Sequence, residues 1–156
     1  MTDRELMHEA IKIANENIKN GGGPFGAVIA DKKGNIIATG MNRVTANNDP
    51  TAHAEVTAIR NATSTLNTFN LEGYVIYTSC EPCPMCLGAI YWAHLDKVYY
   101  ANTKADAKAI NFDDSFIYDE LALSPADRKL PSEQLMREEA IKTFEAWMDK
   151  QDKISY

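Results

Sequence analysis

His53-Ala54-Glu55 and, thirty residues after the histidine, Cys83-Pro84-Met85-Cys86 bring together an imidazole, a carboxylate and two thiols. These groups bind transition metals and move protons beside them. Both halves fall near the start of a helical pattern. Residues three apart on a helix share a face, so Cys83 and Cys86 present two sulfurs to one ion, and the positive end of the helix dipole favours their thiolates. A borderline-soft ion such as zinc suits that pair. Adding His53 gives three protein ligands, and a tetrahedral zinc held by three keeps a fourth position open, the mark of a catalytic rather than a closed structural site. Two thiolates and a neutral imidazole bring the ion's formal charge to about zero, so the metal alone is a weaker acid than in an all-histidine site. Glu55, two residues from the histidine, is placed to supply the missing base, a contribution worth about 10²–10⁴-fold in rate.

The elements that must hold these groups are legible from periodicity. From Asp3 to Lys19, Leu6, Met7, Ala10, Ile11, Ile13, Ala14 and Ile18 recur at helical spacing until Gly21-Gly22-Gly23-Pro24 stops them. Phe25 to Ala30 and Asn35 to Gly40 flank Asp31-Lys32-Lys33-Gly34 and read as a hairpin. A second helix is expected from Asp49-Pro50, a cap and a first-turn proline, to about Leu66. Gly73 to Thr78 suits a buried strand, Pro84 to Ala93 a helix, and Lys97 to Ala101 another strand. A strand-helix-strand unit favours parallel pairing, so the fold class is α/β. Beyond Ala105 the pattern weakens: Asn111 to Phe116 reads as a polar and aromatic loop, Ser124-Pro125 and Leu130-Pro131 break the chain, and Arg137 to Lys150 returns to helical spacing.

The 156 residues suit one domain spanning 1–156, with 45% hydrophobic and 24% charged side chains. The formal charge of −6 argues against a nucleic-acid partner, which needs a lysine and arginine excess on at least one face. No signal peptide or long apolar run is present, so no membrane partner is expected and the location expected is the cytoplasm. Three cysteines within seven positions cannot all pair with one another and favour metal over a disulfide framework.

His-x-Glu with Pro-Cys-x-x-Cys is the signature of zinc nucleobase deaminases, and Pro82 supplies the proline. Over nearly its whole length the chain resembles the cytidine deaminase-like superfamily, and within it the small bacterial guanine deaminases. The resemblance rests on Gly23 to Val28, Asn42, Asp49 to Glu55, Tyr77 to Cys86, Phe112 to Tyr118 and the terminal Tyr156. It implies a three-layer α/β/α fold with a five-stranded mixed sheet, one zinc per chain on His53, Cys83 and Cys86, and hydrolytic deamination of guanine to xanthine and ammonia. It further implies that Glu55 and Asp114 act catalytically, and that Asn42, the Ala54 backbone, Phe25, Trp92 and Asp114 bind the purine. A homodimer would exchange its C-terminal segments, about 137–156, so that Tyr156 caps the partner's pocket. Leu130 to Met136 departs from this pattern, being a poor strand.

Other readings remain open at this level. A tRNA adenosine deaminase carries the same metal motifs, and cytosine or a triazine amine are alternative small substrates. From another class, a non-enzymatic module could hold a closed zinc site with Cys80 as fourth ligand, although Cys80 fits as well packed at a strand end. His8 and His94 are expected to be structural.

Overall fold

In the computed structural model, which describes residues 1–156, helix α1 (Asp3–Lys19) begins at a reciprocal cap. The Glu5 amide donates to Thr2 Oγ1 at 3.2 Å and the Thr2 amide donates to Glu5 Oε2 at 2.7 Å, so two otherwise orphaned helix donors are satisfied. Leu6, Ala10, Ala14 and Asn17 form its buried stripe. The chain then turns at Gly21, where φ is +86°, a value natural to glycine.

Strands β1 (Gly26–Asp31) and β2 (Ile36–Met41) form the expected hairpin, antiparallel with a bulge between Ile29 and Ala30. Its turn is held by Asp31 Oδ1, which accepts from the amides of Lys33 and Asn35, both at 2.9 Å. A short helix α2 (Val44–Asn47) precedes α3 (Ala54–Leu66), and β3 (Tyr74–Cys80), α4 (Pro84–Trp92) and β4 (Lys97–Asn102) complete the strand-helix-strand unit. The sheet order is β2-β1-β3-β4, with β3 and β4 parallel and the other pairs antiparallel. Side chains alternate across it. Val28, Ala30 and Tyr77 face Leu6 and Ala10 of α1, while Ala27, Ile29 and Ile76 face Ala54, Ala58 and Ala62 of α3 and Ile90 of α4. Ile29 and Ile76 are completely buried, each contributing about 1.5–3 kcal/mol of burial free energy.

Small residues set how near the helices come. A Cβ on Gly40 of β2 would collide with the Ala54 carbonyl and the Ala58 amide, so the first turn of α3 lies directly on the strand. That contact fixes where α3 begins, and with it His53 and Glu55.

Three expectations need correction. The sheet has four strands, not five: Leu130–Met136 forms no strand, because Pro131 lacks an amide donor, Ser132, Glu133 and Gln134 are polar, and Leu130 and Leu135 remain 80% and 82% exposed. The second helix begins at Ala54 rather than Asp49, because Asp49 Oδ1 accepts from the Thr51 amide at 2.9 Å and its hydroxyl at 2.7 Å, folding this segment into a turn. Helices α5 (Lys104–Ala109) and α6 (Ser115–Ala122) occupy a stretch where periodicity shows none; the Ser115 amide and hydroxyl both donate to Asp113 Oδ1 at the start of α6.

The chain divides into two compact units, Met1–Phe116 and Ile117–Tyr156. In the second, the Arg128 guanidinium donates to the carbonyls of Glu120 and Leu123 at 3.0 and 3.1 Å, followed by α7 (Arg137–Asp149), which has no buried residue. No helix is long and apolar enough to cross a membrane.

Candidate metal centre and active site

His53 is the N-cap of α3 and Cys83 the N-cap of α4, both with extended backbone, and neither side chain makes a capping hydrogen bond. The side chains turn toward each other instead. His53 Nδ1 lies 3.5 Å from Cys83 Sγ and 3.4 Å from Cys86 Sγ, and the three ligand atoms lie within 4.8 Å of one another. Tetrahedral zinc with Zn–S of about 2.3 Å and Zn–N of about 2.0–2.1 Å requires a nitrogen-to-sulfur separation of roughly 3.5 Å. The donor set therefore fits zinc in both chemistry and spacing. Two helices also direct their N-termini at this point, where anionic ligands are stabilised.

The electrostatics agree. Hydrogen bonding from Cys86, with help from His53, holds the Cys83 thiol down at about 4, so this ligand is a thiolate at neutral pH. Cys86 is displaced upward for the complementary reason, sharing its proton with Cys83 in a buried place. The Cys83 sulfur raises the His53 pKa.

Glu55, the second residue of α3, is 6% exposed, and burial raises its pKa. A carboxyl lifted toward neutrality both takes and returns protons, the property a shuttling base requires. Asp114 follows the same logic: burial and the Cys83 thiolate raise its pKa, and Oδ1 is buried with no hydrogen-bond partner. An orphaned carboxylate oxygen in a buried position is suited to a polar ligand.

Asn42 follows β2. Its Oδ1 accepts from the Val44 amide at 3.1 Å, so the side chain offers Nδ2 as donor. The Ala54 amide is the first of α3, one of the four donors a helix cannot satisfy internally. Phe25 packs edge-on against Phe112, ring centroids 5.1 Å apart and planes at 89°. Cys80 lies buried at the end of β3, its Sγ 3.7 Å from the Thr103 carbonyl, with its thiol pushed up to about 11 by burial. It is not part of the ligand cluster.

The model of the cytidine and deoxycytidylate deaminase zinc-binding region matches residues 1–102, which include every ligand of this cluster. The chain belongs to the cytidine and deoxycytidylate deaminase family. It is 49% identical over 157 residues to the guanine deaminase of Bacillus subtilis, with 100% of each sequence covered. The X-ray structure of that enzyme matches with a TM-score of 0.96, covering 100% of this chain and 99% of the other. A guanine deaminase from Nitrosomonas europaea matches at 33% identity and TM-score 0.71, covering 72% and 65% of the two chains. A tRNA-specific adenosine deaminase of Haemophilus influenzae is 34% identical over 108 residues, 69% of this chain and 62% of its own length.

In this deaminase one expected residue stands apart from the metal cluster. Trp92 ends α4, six residues and about 9 Å of helix rise beyond Cys86, on a groove it shares with Ile59 and Phe69. Tyr156 lies in the second unit and is 76% exposed. Two contributors were not foreseen from sequence. Phe112 supports Phe25, and Ser79 Oγ, 3.0 Å from the Gly26 amide, ties the start of β1 to the end of β3.

Proposed function

We propose that the chain catalyses the hydrolytic deamination of guanine to xanthine and ammonia, with one zinc held by His53, Cys83 and Cys86. The observation that carries this reading is the extent of the likeness: the Bacillus subtilis guanine deaminase matches the full length, whereas the tRNA-specific adenosine deaminase of Haemophilus influenzae matches over 108 residues. The segment Phe112–Tyr118 and Tyr156 thus lie within the full-length match. A net charge of −6 also disfavours a tRNA substrate.

When bound, zinc supplies a Lewis acid and an activated water. The chain's own groups do the rest. Glu55 takes a proton from the nucleophilic water and returns protons to the purine ring nitrogen and to the departing amine. Asn42 Nδ2 and the Ala54 amide donate to acceptors on the purine edge. Asp114 receives the amino group at its unpartnered Oδ1 and assists proton transfer, while Phe25, with Phe112 behind it, supports the ring. In this reading 1–156 is one deaminase domain acting in the cytoplasm.

The segment of about 137–156 is exchanged between two copies, and Tyr156 and Trp92 complete the partnered pocket. The apolar surface of the second unit supports this: Phe144 and Met148 are 69% and 67% exposed in the single chain, and such side chains call for a covering partner.

Ammonia release measured with guanine, guanosine, adenine, cytosine and a short tRNA hairpin should be fastest with guanine. Turnover of the hairpin without guanine turnover would overturn the substrate assignment. Deleting Ile154–Tyr156 should lower kcat/KM for guanine by about tenfold or more through lost positioning while zinc stays bound. Unchanged kinetics would remove Tyr156 from the site.

A further inference from the structure

The buried stripe of α1 ends in a polar residue, Asn17, which is 4% exposed. Burying an amide is unfavourable unless its hydrogen bonds are made. Asn17 makes them to two separate segments. Its Nδ2 donates to the Gly23 carbonyl at 2.8 Å and to the Asn42 carbonyl at 2.9 Å. Both partners are acceptors only, so the orientation of the amide is determined. The Asn17 backbone carbonyl in turn accepts from the Gly22 amide at 2.8 Å, and the Asn42 amide donates to the Phe25 carbonyl at 3.2 Å.

We propose that Asn17 is a positioning residue for purine recognition, one amide that locks the segment carrying Phe25 to the segment carrying Asn42. The proposal rests on the reading in which Asn42 touches the purine. Two restraints act on Asn42: Asn17 holds its backbone carbonyl, and the Val44 amide holds its side-chain oxygen. The glycines beside the clamp are shaped around it. A Cβ on Gly22 would collide with the Asn17 amide itself, and one on Gly23 would come within 3.3 Å of Asn42 Cγ. Neither Asn17 nor Gly22 belongs to the metal cluster.

The test is steady-state kinetics on guanine with zinc content measured in parallel. Asn17→Asp turns a donor into an oxygen facing two carbonyl oxygens at unchanged size. Gly22→Ala displaces the Asn17 amide without altering it, and carries the test alone should the aspartate variant fail to fold. Each is expected to raise KM about tenfold, to leave kcat within about threefold, and to keep one zinc per chain, the pattern of lost ground-state and transition-state positioning rather than lost chemistry. In an Asn42→Ala background the same changes should add less to KM than they do in the unaltered protein, because the part of their effect that passes through Asn42 is already lost. Equal losses of kcat and zinc would mark Asn17 as merely structural and overturn the proposal. So would a wild-type KM in folded Asn17→Asp or Gly22→Ala when Asn42→Ala itself raises KM. A wild-type KM in Asn42→Ala would instead remove Asn42 from the substrate, and the role of Asn17 with it.

Discussion

Glu55→Gln is expected to lower kcat for guanine by about 10²–10⁴-fold while zinc stays at one per chain. The amide has nearly the size of the carboxyl, so the packing of a residue only 6% exposed is preserved. What is lost is the ability to accept and return a proton. Burial raises the Glu55 carboxyl, which brings its proton affinity closer to the pH at which it must both take and give. Glu55 is not itself one of the three cluster residues, His53, Cys83 and Cys86, and it lies in the first turn of α3. Zinc analysis and single-turnover rates separate the possibilities. Retained turnover would remove Glu55 from proton transfer, whereas loss of zinc would show that it supports the cluster.

Local features were readable in the sequence and tertiary ones were not. His53, Glu55, Cys83 and Cys86 declare themselves because their spacing within short segments is itself the chemical requirement, and the hairpin does so through Asp31 and Gly34, whose turn chemistry is local. The start of α3 departs from the Asp49-Pro50 signal for an equally local reason working the other way: Asp49 accepts from Thr51 instead of capping a helix. Helices α2, α5 and α6 span 4, 6 and 8 residues, too short to show a convincing apolar stripe. Nothing in the residues around Asp114 foretells a buried oxygen without a partner, or a carboxyl raised by the Cys83 thiolate far away in sequence. The same holds for Asn17. It occupies a position where the periodicity of α1 calls for an apolar side chain, and a polar residue there announces a clamp only once Gly23 and Asn42 are folded against it.

Replacing Cys86 with alanine should abolish zinc retention and, with it, deaminase turnover. Loss of an outer-shell partner of a metal ligand already costs about 10–100-fold in metal affinity, and loss of a ligand should cost more. Cys86 is fully buried in the first turn of α4, so its removal also leaves an unfilled space beside His53 and Glu55 and should lower the thermal midpoint. In the unaltered protein, zinc affinity should fall as the medium is acidified, and the direction follows from the ligands. Cys83, held at about 4, is already a thiolate at neutral pH, but Cys86 is displaced upward and must release its proton on binding. One proton released per zinc means that affinity changes by about tenfold per pH unit. At lower pH the dependence should steepen, because the raised pKa of His53 adds a second proton to be displaced. Titration of the metal-free protein with zinc in buffers of different protonation enthalpy measures the proton count directly. A pH-independent affinity, or full zinc retention in Cys86→Ala, would show that the ion is held by a different set of groups.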